Sequence, residues 1–151
     1  LKNEIPILSV IYNPITEDFY YAEKGKGAYL NEKKLFISKN INLKDSIIVS
    51  DLTKDRNFHE EFFKMMQSLS KEVLGIRLTQ STSINLAFVA EGRYDIFIKN
   101  IIKYYDAIAG TLICEEAGGT VVDFSGNRFS KSSKGIIASN NVLTNKILGI
   151  I

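Results

Sequence analysis

The stretch that most restricts the fold is "DAIAGTLICEEAGG", Asp106 to Gly119, which carries no charge between Asp106 and Glu115. Ile108 and Leu112 lie one helical turn apart, as do Ala109 and Ile113, while Ala107, Gly110 and Cys114 cover a further side. A helix with that pattern is apolar nearly all round, so it has to be packed on every side, between layers. Ala107, Ala109 and Gly110 let other backbones come close. Gly118 suits a left-handed C-terminal cap. Glu115 and Glu116 fall in the last turn, where the helix dipole disfavours anions, so at least one calls for a cationic partner. Asp106 stands at or next to the N-cap, a position that aspartate favours. A carboxylate there can also hold a hard cation, because Mg²⁺ takes oxygen ligands and often only one or two carboxylates per site. On residue type and spacing alone both readings stay open.

The layers around this helix can be read from the rest of the chain. Ile7 to Tyr12, Phe19 to Glu23, Ala28 to Leu30 and Leu35 to Ile37 read as antiparallel strands, with Gly25 and Gly27 in one turn and Asn31-Glu32 in another. From Ser46 the rhythm changes to strands alternating with helices. "SIIVSD", "VLGIRL", "RYDIFIKN", "TVVDF" and "GIIAS" are strands. "DRNFHEEFFKMMQSLSK", "STSINLAFVAEG" and "NNVLTNKILGII" are helices, the second opened by cap-type residues and closed at Gly92. The fold class is therefore a layered α/β sandwich, residues 1–45 ending an antiparallel sheet region and residues 46–151 forming a C-terminal α/β region. The opening strands have no helix of their own to cover them, and "LKNEIPILSV" enters a strand-like pattern without an initiator methionine. Both features read as a chain cut from something longer.

Composition removes several classes of function. The chain has 151 residues, 45% hydrophobic and 24% charged, with net charge +2, which is globular rather than disordered. The lysines are scattered and not interleaved with aromatics, so nothing here argues for direct nucleic-acid binding. No apolar run approaches the length of a membrane span. One cysteine, Cys114, allows no intrachain disulfide, and a reducing compartment is the simpler reading. Cys114 lies inside the apolar helix and reads as core. His59, beside Glu60 and Glu61, reads as a solvated face. "GKG", Gly25 to Gly27, lacks a following Lys-Ser/Thr and reads as a hairpin turn, not a phosphate loop. Asp95 sits in strand alternation and reads as structural.

Three blocks carry a resemblance that residue spacing alone does not supply. "YYDAIAGTLICEEAGGTVVDFSG" resembles the second signature of the inositol monophosphatase family of magnesium-dependent phosphatases: a Trp-Asp pair, a small-residue helix, then Glu-Ala-Gly-Gly. "GKGAYLNEKKLFIS" is similar to the family's Gly-x-Gly-Ala hairpin, and "GIRLTQSTSINLAFVAEGRYDIFI" to its Arg-x-x-Gly-Ser/Thr-Ala helix entry. The blocks come in the family's order and cover almost the whole chain.

The resemblance implies a Mg²⁺-dependent phosphate monoester hydrolase acting on a small inositol or sugar phosphate, cytoplasmic and commonly a homodimer. It implies that Asp106 is a metal ligand and that Gln80, Ser81, Thr82, Lys99 and Asp106 contact substrate. Backbone N–H groups at the Ser81 helix start and the Ser81 hydroxyl can bind substrate hydroxyls, and a plain N-cap at Ser81 or Ser83 explains the same residues equally well. The family's upstream Asp-Pro-x-Asp-Gly-Thr metal loop has no counterpart, because Pro6 and Pro14 follow Ile5 and Asn13. The chain alone is therefore expected to be inactive. Gln80 replaces a Gly, Tyr105 a Trp, and Lys99 a Glu that binds inositol hydroxyls. A lysine cannot accept hydroxyl protons but can attract a second anionic group. Two alternatives follow: a sibling phosphatase acting on a nucleotide 3′-phosphate or fructose 1,6-bisphosphate, or a non-catalytic member that acts as an interaction protein.

Overall fold

The computed structural model describes residues 6–151, and the opening "LKNEI" lies outside them. Four strands make a first, antiparallel sheet in the order β1-β2-β3-β4: β1 (Leu8–Asn13), β2 (Asp18–Glu23), β3 (Gly27–Leu30) and β4 (Lys33–Lys34). Asn31, at φ +52°, turns the chain between β3 and β4, as its type allows. The strand expected over Leu35–Ile37 does not form. The paired register ends at Lys34, with one further bond from the Leu35 N–H to the Ala28 carbonyl at 2.8 Å, and the Ile37 N–H donates instead to the Ala117 carbonyl at 3.1 Å. Leu35 is buried, so its side chain is already in the core as the chain leaves the sheet.

The second sheet holds β5 (Ile47–Asp51), β6 (Gly75–Thr79), β7 (Ile96–Lys99), β8 (Thr120–Val122) and β9 (Ile136–Ser139) in the order β6-β5-β7-β9-β8. β5 runs parallel to both β6 and β7, and β9 is antiparallel to β7 and β8. Its strands have side chains in two separate cores. Ile48, Ile96, Ile98 and Ile137 pack with Phe62, Met66 and Leu69 of α1 (His59–Ser70) and Leu143 and Ile147 of α4 (Asn141–Leu148). Val49, Phe97, Ile136 and Ala138 pack with α2 (Thr82–Ala90) and α3 (Tyr104–Glu116). The same core takes in Ile11, Tyr20, Ala22 and Ala28 of the first sheet. The layers are thus first sheet, α2 and α3, second sheet, α1 and α4. The double-sided burial explains why these strands are apolar on consecutive residues and do not alternate.

α3 is the helix that the sequence required to be enclosed, and it lies between the two sheets. Ala107, Leu112, Ile113 and Cys114 are buried. α2 approaches so closely at Gly110 that a Cβ there would stand 2.5 Å from the Leu86 Cβ. The helix ends on Gly118, at φ +92°. The Gly118 N–H donates to the Glu115 carbonyl at 3.0 Å and the Gly119 N–H to the Cys114 carbonyl at 2.8 Å, the paired bonds of a Schellman end.

Gly110→Ala tests that approach. Alanine adds about 1 kcal/mol of intrinsic helix preference, but the Leu86 Cβ is the rigid root of its side chain and cannot swing aside. Overpacking of this kind costs about 1–3 kcal/mol. The urea midpoint of the full-length protein is therefore expected to fall. An unchanged or raised midpoint would show that the two helices can separate at no cost.

Candidate active site

β5 is the strand at which the second sheet changes direction. The chain leaves it for β6 on one side through α1 and returns to β7 on its other side through α2, and the two helices lie on opposite faces. A cleft opens beyond the carboxyl ends of strands at such a reversal, because the connections diverge there. It is found at this place, with a volume of about 680 Å³. Its floor holds Asp51 at the end of β5 and Lys99 at the end of β7. The starts of α2 and α3 bring Ser81, Thr82 and Asp106, with Gln80 just before them. All five residues singled out from the sequence, Gln80, Ser81, Thr82, Lys99 and Asp106, line this one cleft.

Two helix starts face it. In α2 the Ser81 hydroxyl accepts from the Ile84 N–H at 3.4 Å, so Ser81 is the N-cap. Helix geometry leaves the N–H groups of Thr82 and Ser83 without an intrahelical acceptor. Ser83 is not a cap: its hydroxyl donates to the Asp106 backbone carbonyl at 2.9 Å and ties the two helix starts together. In α3 the cap reading of Asp106 is corrected. The helix begins at Tyr104, with Lys103 as a cap without a side-chain bond, and Asp106 is the third helical residue. Its carboxylate is exposed, in the first turn, where the helix dipole favours an anion.

Lys99 does not stand free in the cleft. Its ammonium forms an ion pair with Asp51 and donates to the Thr82 hydroxyl at 3.3 Å, and that hydroxyl donates to the other Asp51 oxygen at 2.7 Å. Asp51 was missed in the sequence reading. The signal that marks it is a carboxylate closing a strand, "SIIVSD", at the point where the sheet order reverses. The cleft wall from Leu52 to Phe58 is pinned by His59, whose Nε2 lies 2.8 Å from the Thr53 carbonyl, and by Asn100, which donates to the Phe58 carbonyl at 3.2 Å. His59 is thus half-buried and holds a loop, in place of the solvated face expected of it.

The chemistry of the donors bears on a metal. Asp106 suits one carboxylate ligand of a hard cation. Asp51 is neutralised by Lys99, and the Asp55 carboxylate accepts from the Asn57 N–H at 3.0 Å. Among the described residues no group of three His, Cys, Asp or Glu side chains converges. Cys114 lies elsewhere, fully buried, its thiol donating to the Leu86 carbonyl at 3.0 Å and pushed up in pKa by burial first and by Glu115 second. "GKG" forms the turn between β2 and β3, and its Gly25 and Gly27 N–H groups donate to the Glu116 carboxylate at 2.8 and 2.9 Å.

With this geometry in hand, comparison with known proteins decides the family. The model of the inositol monophosphatase family matches residues 1–151. The chain belongs to that family. It is 32% identical over 144 residues to a fructose-1,6-bisphosphatase/inositol-1-monophosphatase of Thermotoga maritima, covering 95% of this chain and 54% of the relative. It is 33% identical over 145 residues to Nus factor SuhB of Haemophilus influenzae, covering 95% and 54%. The crystal structure of extragenic suppressor protein SuhB from Bartonella henselae superposes with a TM-score of 0.90 at 33% identity, covering 95% of this chain and 55% of that one. The family member described here thus spans about half the length of the curated relatives it matches.

Removing one partner of the floor pair should be costly, and removing both should not. Asp51→Ala leaves a largely buried ammonium unpaired, at about 3–5 kcal/mol. Asp51→Asn combined with Lys99→Met is expected to recover most of that loss, because neutral replacement of a buried pair is often tolerated. Chemical denaturation of the three proteins reads the difference directly. A double variant as unstable as Asp51→Ala would mean that the pair is not the unit.

Proposed function

We propose that this chain supplies part of the active cleft of a Mg²⁺-dependent phosphate monoester hydrolase resembling inositol-1-monophosphatase. The observation that carries the reading is the exposed Asp106 carboxylate in the first turn of α3, on the same cleft as the start of α2. In this reading Asp106 is one ligand of the cation. When bound, such a cation lowers the pKa of a coordinated water and offsets charge on the phosphate and leaving oxygen. The Thr82 and Ser83 N–H groups and the Ser81 hydroxyl orient oxygen atoms of the ester, and Gln80 narrows the cleft beside them. The positive ends of the two helices favour an anion between them.

Two observations favour other assignments. The likeness to a protein named for fructose 1,6-bisphosphate supports a sibling phosphatase with that bisphosphate as ester. The likeness to a protein named as a Nus factor supports the interaction-protein alternative. Among the described residues Asp55 and Asp106 are the lining carboxylates without an ion pair, and no third joins them at this cleft, which agrees with either a shared site or a lapsed one.

Asp106→Asn in the full-length protein separates these. It keeps the side-chain size and removes the charge a cation needs. Phosphate release from inositol 1-phosphate is expected to fall about a hundredfold or more, with thermal stability little changed. Phosphate release at the parent rate would remove Asp106 from the chemistry. No metal-dependent release by the parent protein would favour the interaction protein.

A further inference from the structure

The floor of the cleft carries a charge pair that the proposed chemistry does not use. Asp51 is 2% exposed, and the Lys99 side chain is 13% exposed. Three elements contribute: Asp51 ends β5, Lys99 ends β7, and Thr82 begins α2. Lys99 pairs with one Asp51 oxygen and donates to the Thr82 hydroxyl, which itself donates to the other Asp51 oxygen. An ammonium has three N–H donors and no acceptor. One is donated to Thr82 and the charge faces Asp51, so by count at least one is left for a ligand. The pair as a whole has no net charge. Lys99 therefore offers the cleft a hydrogen-bond donor and not an uncompensated positive charge.

We propose that Asp51 sets the charge class of the ligand: by neutralising Lys99 it makes the cleft floor suit a phosphate monoester whose other groups are neutral hydroxyls, and not an ester with a second phosphate. The inference rests on the phosphate-ester reading of this cleft. A hydroxyl oxygen can accept the remaining Lys99 N–H, a role open to the neutral part of a sugar or polyol phosphate. The other lining cations, Lys54 and Lys103, are exposed, where water and salt screen them. Among the described lining residues, the cation sheltered enough to select for a second anionic group is thus the one its neighbour cancels.

The experiment measures calorimetric affinities of the full-length protein for fructose 6-phosphate and fructose 1,6-bisphosphate. The parent is expected to gain little from the second phosphate. Asp51→Asn keeps an acceptor for Thr82 and frees the Lys99 charge. Its preference for the bisphosphate should rise about tenfold, the scale of one charge-assisted hydrogen bond, and shrink as salt is raised. Asp51→Asn with Lys99→Met should return the ratio to within about twofold of the parent, because both cleft floors are neutral. If Asp51→Asn alone does not fold, this neutral double variant still decides. Loss of bisphosphate affinity in it relative to the parent would show that Lys99 acts as a free cation and overturn the inference. So would a parent that binds the monoester and an Asp51→Asn protein with the same ratio. A parent that binds neither ester overturns the phosphate-ester reading, and this inference with it.

Discussion

Enclosing α3 between two sheets is the constraint from which the rest of the arrangement follows. A helix packed between two sheets over most of its length has little solvated face along which to slide, so its packing holds both of its ends. Gly110 brings α2 into near-contact, and the Cys114 thiol reaches the Leu86 carbonyl across the same seam. The starts of the two helices are then locked by the bond from Ser83 to the Asp106 carbonyl. The cleft inherits its geometry from this packing, because its two helix starts cannot move independently.

The far end of α3 solves an electrostatic difficulty of its own making. Two carboxylates in the last turn oppose the helix dipole. Glu115 takes a bidentate pair of bonds from Arg128, at 2.9 and 2.7 Å. Glu116 receives the amides of Gly25 and Gly27 and so grips the hairpin of the first sheet. Two sequence features far apart, "GKG" and "EEAGG", are one contact in space. The chain that crosses between the sheets is held in a similar way. Asp95 accepts from the Ser38 hydroxyl at 2.6 Å and the Ile47 N–H at 2.8 Å. Asn140 caps α4 through its carbonyl oxygen while its amide donates to the carbonyls of Ser38 and Asn40. Asp95 is structural because both oxygens are occupied in joining one sheet to the other.

What could be read from the sequence was whatever local chemistry decides. The all-round apolar helix, the Gly118 end and the Asn31 turn each depend on a few neighbouring residues, and each is found in place. What could not be read was decided at a distance. The Leu35–Ile37 segment has strand-like residues, but its amide bond goes to Ala117 and its Leu35 side chain to the core, so it leaves the ladder. Asp106 has the residue type of a cap, yet the packing of Tyr104 on Phe129, stacked at 5.9 Å between ring centres, accompanies a helix that starts earlier. Asp51 escaped notice because its partner lies forty-eight positions later, and only the parallel pairing of β5 with β7 puts the two strand ends side by side.

The cleft's charges therefore differ from what its residue types suggest. Counted singly, Lys99 is a cation and Asp51 an anion, but together they are a neutral floor. Asp106 is different: it sits on the positive end of its own helix, which stabilises its charge without cancelling it. A cation approaching Asp106 meets a carboxylate still able to coordinate it, while a phosphate approaching the same cleft meets free amides at the start of α2. In the phosphate-ester reading proposed above, a cation at Asp106 and a phosphate at the start of α2 would lie on one surface whose own floor is neutral. The Ser83–Asp106 bond ties together the two helix starts on which that reading depends, so the packing of α2 on α3 and the layout of the cleft are one feature.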